Sequence, residues 1–189
     1  MKAGPYILLQ NQVCLDFDEV TSEGAPEITD GYRLSFYRDT GCFSPLGMYT
    51  GNAISIGIGC DSDSTIQHEV MHSLGFHHEQ IRPDRDGYVS VHFENIIEGR
   101  EAQFNKISQP LWIDQNINYD IASVMQYGGY GFSSNGNPTI TVVKNGVDTG
   151  VAVVEQRNGA SSMDIWQICK LYECGKCNGV QIDSYRRRF

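Results

Sequence analysis

The chain has 189 residues, a formal net charge of −9, 40% hydrophobic and 20% charged residues, which suits one globular domain with a real core. The negative charge disfavours nucleic acid and anionic membrane surfaces as partners, and no apolar run approaches the roughly 18 residues needed to span a bilayer. The opening ten residues, MKAGPYILLQ, hold too short an apolar stretch for a secretory signal.

Residues 7–14 (ILLQNQVC) read as the last turns of a helix. After a Gly/Pro/Glu-rich connection at 22–31, the alternation over 32–38 (YRLSFYR) predicts a strand, and 53–58 (AISIGI) predicts a second. Ser64-Thr65-Ile66-Gln67 matches a capping box, with Ser64 as N-cap and Gln67 at N3. In the helix that follows, Ile66, Val70 and Leu74 share an apolar face, while His68 and His72 lie one turn apart on another. Gly75 supplies the left-handed position that ends the helix and reverses the chain. The run YVSVHF (88–93) is β-like, and its His92 reads as structural. A further helix is expected over 94–106, and 107–160 reads as mostly loop, rich in Gly, Asn and Ser. A final helix is expected over 161–173, opened by Ser161 or Ser162 with Asp164 in its first turn. Residues 178–189 read as a C-terminal tail whose last segment, YRRRF, is solvated.

The segment from His68 to His78 (HEVMHSLGFHH) fits H-E-x-x-H-x-x-G-x-x-H at each fixed position. Imidazoles at i and i+4 project from one helix face and can reach a single zinc ion, as two of the three His ligands of a catalytic site. The third must come from beyond the helix, so the chain has to turn sharply, which Gly75 permits without a Cβ penalty. Spacing favours His78 over its neighbour His77 as that ligand, leaving His77 as a surface or packing residue. Three neutral histidines leave a fourth position for water, as catalytic zinc sites do. Glu69, next to the first ligand, can take a proton from that water and pass one to the leaving amine. The pattern predicts a zinc-dependent endopeptidase acting on proteins or peptides. The competing reading is a catalytically inactive zinc-containing binding or adhesion module, which would have no need of Glu69.

Six cysteines, at 14, 42, 60, 169, 174 and 177, point to an oxidising, extracellular compartment. Their count favours disulfides, and their spacing leaves the connectivity open.

The stretch HEVMHSLGFHHEQIRPDRDGYVSVHFENI (68–96), with Glu79 after the third histidine, resembles the astacin family of metzincin metalloendopeptidases. Ser123-Val124-Met125-Gln126-Tyr127 resembles that family's Met-turn, and further matches extend the resemblance over roughly 7–174. It implies a mixed α+β, zincin-like catalytic domain over 1–177: an upper subdomain with a twisted sheet and two long helices, an irregular lower subdomain, and a cleft between them. Met125 would floor the zinc. Tyr127 would ligate the metal at rest and stabilise the oxyanion during turnover. The strand around 53–58 would be the edge strand on which substrate lies. The pairs Cys14–Cys174 and Cys42–Cys60 follow from the resemblance, which leaves Cys169 and Cys177 to each other. It also implies a fuller first helix upstream of Met1 and a mature N-terminus received by Glu79. Gln126 stands where the family commonly has histidine. The segment 142–155 falls where the primed-side pocket is expected, and Lys144 or Arg157 would be the basic residue reading an acidic substrate side chain there.

Overall fold

A computed structural model describes residues 9, 11–17, 34–48, 51–108, 112–113, 115–155 and 158–182. The expected connection at 22–31, the terminal run at 185–189 and Arg157 lie outside the described residues. The chain divides into two compact units: residues up to Phe76 with those from Asn158 onward, and His77–Arg157.

The first unit holds a three-stranded sheet of β1 (Leu34–Tyr37), β2 (Cys42–Phe43) and β3 (Asn52–Ile56), in the order β1-β3-β2. β1 runs parallel to β3, with Leu34 opposite Asn52, and β2 pairs antiparallel with its far end, Cys42 opposite Ile56. β3 is therefore the central strand, which corrects the expectation that the 53–58 region forms an edge. Its burial agrees: Ile54, Ser55 and Ile56 are consecutive and all buried, so both faces of the strand are covered.

Helix α1 (Asp63–Ser73) starts at Ser62, whose hydroxyl accepts the Thr65 N–H at 3.2 Å. The N-cap is Ser62 and not Ser64, and Gln67 closes no capping box. Its carbonyl oxygen accepts the Ala160 N–H at 2.6 Å instead, so a tertiary contact outcompetes the local one. The C-terminus is a Schellman motif: Gly75 (φ 99°) donates to His72 O and Phe76 donates to Met71 O.

Helix α2 (Ser162–Leu171) begins with the reciprocal box of Ser161 and Asp164. It buries Ile165, Ile168 and Cys169. The unit is stapled by Cys14–Cys174, Cys42–Cys60 and Cys169–Cys177, the pairs the resemblance implied and the one it left over. Of the expected first helix, the described part is its final turn, where Gln12 and Val13 donate to Leu9 O.

The second unit contains an antiparallel sheet of β4 (Val89–Val91), β5 (Ile140–Lys144) and β6 (Val147–Ala152), in that order. The reading of 107–160 as mostly loop holds for the described residues outside β5 and β6, a hairpin that the sequence reading did not single out. β5 and β6 form a hairpin turning at Asn145-Gly146, both at positive φ (54° and 75°), as a two-residue type I′ turn requires. The expected helix over 94–106 is also absent. Two 3₁₀ turns stand there, Phe93–Asn95 and Glu101–Phe104, separated by Gly99 at φ 81°. Backbone groups that a helix would have paired internally pair elsewhere: Ile97 N donates to Phe132 O, and Asn95 O accepts from Ser134 N. The unit's core is Val89, Ile96, Phe104, Tyr119, Ile140 and Val153.

Back in the first unit, β7 (Lys176–Cys177) and β8 (Val180–Gln181) pair as a hairpin that straddles the expected tail boundary at 177/178. Helices and small sheets together make an α+β fold.

Candidate active site

The site grows from one helical turn and one reversal. α1 presents His68 and His72 with their rings edge to face, centroids 4.7 Å apart. The Schellman reversal at Gly75 then returns the chain, and His78 arrives as the N-cap of the 3₁₀ turn Glu79–Ile81. One ring nitrogen from each of His68, His72 and His78 lies within 4.8 Å of the others. His78 supplies the third nitrogen; His77 is half-buried, and burial lowers its pKa.

The donor set fits zinc on a feature beyond the spacing. Nδ1 of His72 lies 2.8 Å from the Phe76 carbonyl. A carbonyl only accepts, so Nδ1 carries the proton and Nε2 keeps its lone pair for a metal. The same reversal that delivers His78 thus also sets the tautomer of His72.

Glu69 is 4% exposed, and its Oε2 is buried with no hydrogen-bond partner among the described residues. Burial pushes its pKa up to about 7. A buried carboxylate oxygen without a partner costs free energy unless something else meets it, so this atom is poised for a proton or a water.

In the second unit, the Met-turn is a pair of tight turns in which Ser123 N donates to Asp120 O and Gln126 N to Ser123 O. Met125 N also donates to Ser123 Oγ at 2.9 Å. Met125 is 1% exposed, and its carbonyl accepts the Glu79 N–H at 3.0 Å, which fastens the turn directly behind His78. The Tyr127 ring lies 4.3 Å from the His78 ring, centroid to centroid. Its N–H donates to Gln80 Oε1 at 3.2 Å, and its carbonyl accepts from Gln126 Nε2 at 3.0 Å.

Glu79 is buried. Its Oε1 accepts from Arg82 Nη1 and from Asp120 N, both at 2.8 Å. Arg82 lies over the rings of Trp112 and Tyr119. The Tyr119 hydroxyl donates to Gln126 Oε1, and burial, helped by Glu79, raises the pKa of this phenol. Gln126 thus fills the histidine position of the Met-turn with an amide that holds both Tyr119 and the Tyr127 carbonyl.

Lys144 is exposed at the tip of the β5–β6 hairpin, and His92 bonds to Thr141 and Asp148 as a structural residue. Three residues near Tyr127 were not singled out by sequence: Gln80, Phe104 and Phe132. Gln80 sits inside the diagnostic stretch, but nothing in its spacing gave it a role. Phe104 and Phe132 are single aromatics without periodicity.

A helix-borne histidine pair, a third histidine after a glycine reversal and a Met-turn are the marks of a metzincin-type metal site. The chain belongs to the astacin family: the model of the Astacin peptidase family matches residues 7–173. It is 43% identical to protein SpAN of Strongylocentrotus purpuratus and 42% identical to blastula protease 10 of Paracentrotus lividus, each over 167 residues. These alignments cover 87% of this chain and 27% and 28% of those proteins, so the chain spans little more than a quarter of their length. Among solved structures it is similar to high choriolytic enzyme 1, a hatching-enzyme zinc protease of Oryzias latipes. That match has a TM-score of 0.73 and 35% identity, covering 92% of this chain and 85% of that one.

Proposed function

We propose that this chain hydrolyses internal peptide bonds of extracellular proteins as a zinc-dependent endopeptidase. The observation that carries the reading is the convergence of three imidazole nitrogens within 4.8 Å of one another, two of them borne by the helix that also buries the Glu69 oxygen left without a partner among the described residues. His68, His72 and His78 would hold the ion. When bound, zinc polarises the scissile carbonyl and acidifies the attacking water.

Glu69 is the general base. Its Oε2 takes the proton of the water that attacks the carbonyl carbon, and returns a proton to the amine nitrogen as the C–N bond breaks. Tyr127 donates its phenolic O–H to the oxygen on which charge develops. Phe76 O holds the His72 ring in the ligating tautomer, and Met125 closes the apolar floor. Three disulfides favour an extracellular setting. The net charge of −9 argues against a nucleic-acid or anionic-membrane partner. Among the described residues no helix is long and apolar enough to cross a membrane.

Hydrolysis of casein or a quenched fluorogenic peptide tests the mechanism. A strong zinc chelator should abolish turnover and added zinc restore it. Glu69→Gln should lower kcat by roughly 10²–10⁴-fold with zinc retained, and Tyr127→Phe by about 10²-fold. Turnover that survives both chelation and Glu69→Ala sinks the proposal.

A further inference from the structure

We propose that Phe132 is a positioning residue for Tyr127, an inference that rests on the role given to Tyr127 above. The backbone of Tyr127 is held at both polar groups, its N–H by Gln80 and its carbonyl by Gln126. Its phenol can therefore change place only by side-chain rotation. What lies around the ring then decides where the hydroxyl points.

That surround includes the rings of His78 at 4.3 Å, Phe132 at 5.7 Å and Phe104 at 6.0 Å between ring centroids. Phe104 is fully buried in the core of the unit and meets Phe132 edge to face at 6.2 Å. Phe132 is the wall that does not belong to the metal site or to the buried core. Tyr127 and Phe132 both pack on that core from its partly buried side.

Phe132 also stands out by its backbone, at φ 56°. Among the described non-glycine residues at positive φ, three are asparagines, the fourth is Glu173, and Phe132 is the one aromatic. Asparagine tolerates this region, whereas a bulky side chain does so only where its surroundings impose it. Here they do: the Phe132 carbonyl accepts the Ile97 N–H at 2.9 Å, Ile96 and Ser133 form a β-bridge, and the Arg100 guanidinium sits 5.8 Å from the ring centroid. The left-handed turn delivers the ring to Tyr127. Gly131, immediately before it, is placed so that a Cβ there would lie 3.7 Å from Tyr127 Cβ. The segment therefore crosses Tyr127 at close range.

A ring that fixes a transition-state donor should act on kcat rather than on KM. Phe132→Ala should lower kcat about 10- to 100-fold, the range expected when a reacting group is misplaced by about 1 Å. KM should stay within about threefold. Phe132→Tyr, which keeps the ring, should restore kcat to within about threefold of the parent, and Phe132→Leu should fall between the two. In a Tyr127→Phe background, Phe132→Ala should lower kcat by less than about threefold more, since the donor it positions is gone. A readout apart from activity is the ¹³C-tyrosine ring spectrum of the zinc-loaded protein: Phe132→Ala should shift the Tyr127 ring signals and leave the bound zinc stoichiometry intact.

If Tyr127→Phe lowers kcat and Phe132→Ala does not, this inference fails while the role of Tyr127 stands. A full additional loss in the Tyr127→Phe background, or unmoved Tyr127 ring signals, overturns it as well. Full activity of Tyr127→Phe overturns both readings at once. Should Phe132→Ala fail to fold, the Phe132→Leu and Phe132→Tyr pair carries the same comparison, and equal kcat in the two overturns the inference.

Discussion

The two units hold themselves together by different means. The first contains all six cysteines, paired, together with both regular α-helices found among the described residues. The second has no cysteine, and its described residues form four 3₁₀ turns, tight turns and one small sheet. Irregular backbone leaves carbonyls without ladder partners, and a buried unpaired carbonyl is costly. Two buried arginines supply the missing donors. Arg82 reaches the Ile117 and Asn118 carbonyls as well as Glu79 and Asp84, and Arg85 reaches the Gln80 and Phe104 carbonyls. A guanidinium has five donors in a fixed fork, so one side chain can serve several acceptors at once. Covalent staples join segments of the first unit, whereas in the second cationic side chains satisfy the folded backbone directly.

The sharpest way to break this comparison is to cut the longest staple. Cys14–Cys174 closes a loop of 160 residues, which the chain-entropy model values at about 5 kcal/mol. Replacing both cysteines by serine should lower the unfolding free energy by that order, read from the shift of the denaturant midpoint. The loss should register in hydrogen exchange of α1, α2 and β1–β3 at lower denaturant than in β4–β6. Uniform acceleration across both units would show that the staple does not act on its own unit. The shorter loops of 18 and 8 residues should matter less, by about 3 and 2.5 kcal/mol.

Next in size is the second unit's own device. Arg82→Ala takes one charged donor from Glu79, where Glu79 and Arg82 are each 5% exposed, and removes the donors to the Ile117 and Asn118 carbonyls. Removing one partner of a buried pair costs about 3–5 kcal/mol. Reducing agent should leave this difference unchanged, because no disulfide shares the unit. Arg82→Lys should recover only part of it, since an ammonium cannot span the same acceptors. A Lys variant as stable as the parent would show that charge alone suffices and that the fork geometry is idle.

The same contrast explains what could be read from sequence. The metal ligands were legible because helix geometry fixes their spacing: His68 and His72 share a face at i and i+4, and a glycine must precede the return to His78. Both helices in the first unit, and strands near 34–37 and 52–56, announced themselves by periodicity. The second unit was misread wherever local signals were short. The Asn145-Gly146 turn was present in the sequence, flanked by Val142-Val143 and Val147, but a Gly- and Asn-rich neighbourhood masked it. The stretch 94–106 has helix-forming residues, yet Gly99 and the pairing of 95–97 with 132–134 divert its backbone. The position of β3 within its sheet is invisible locally, because the two-residue β2 that covers it is too short to show a period. The role of Gln80 at Tyr127 depends on a contact between residues 47 positions apart, and no spacing rule encodes that.

The smallest predicted effect tests the one place in the first unit where local and tertiary reading disagree. Both Ser62 and Ser64 are capping residues by type, and Gln67 at the third position after Ser64 completes a box on paper. The structure gives the cap to Ser62, through its bond to Thr65 N, and sends Gln67 to Ala160 N. Ser62→Ala should therefore destabilise α1 by about 1 kcal/mol, the usual value of a lost cap. Ser64→Ala, inside the first turn, removes a hydroxyl whose described hydrogen bond is to Ser62 Oγ at 3.1 Å. It gains helix propensity and should be close to neutral. Thermal midpoints of the two variants decide the order, and zinc affinity sharpens it. A frayed start to α1 loosens the turn that carries His68 first, so Ser62→Ala should weaken zinc binding where Ser64→Ala does not. The reverse order would return the cap to the position that the sequence alone suggests.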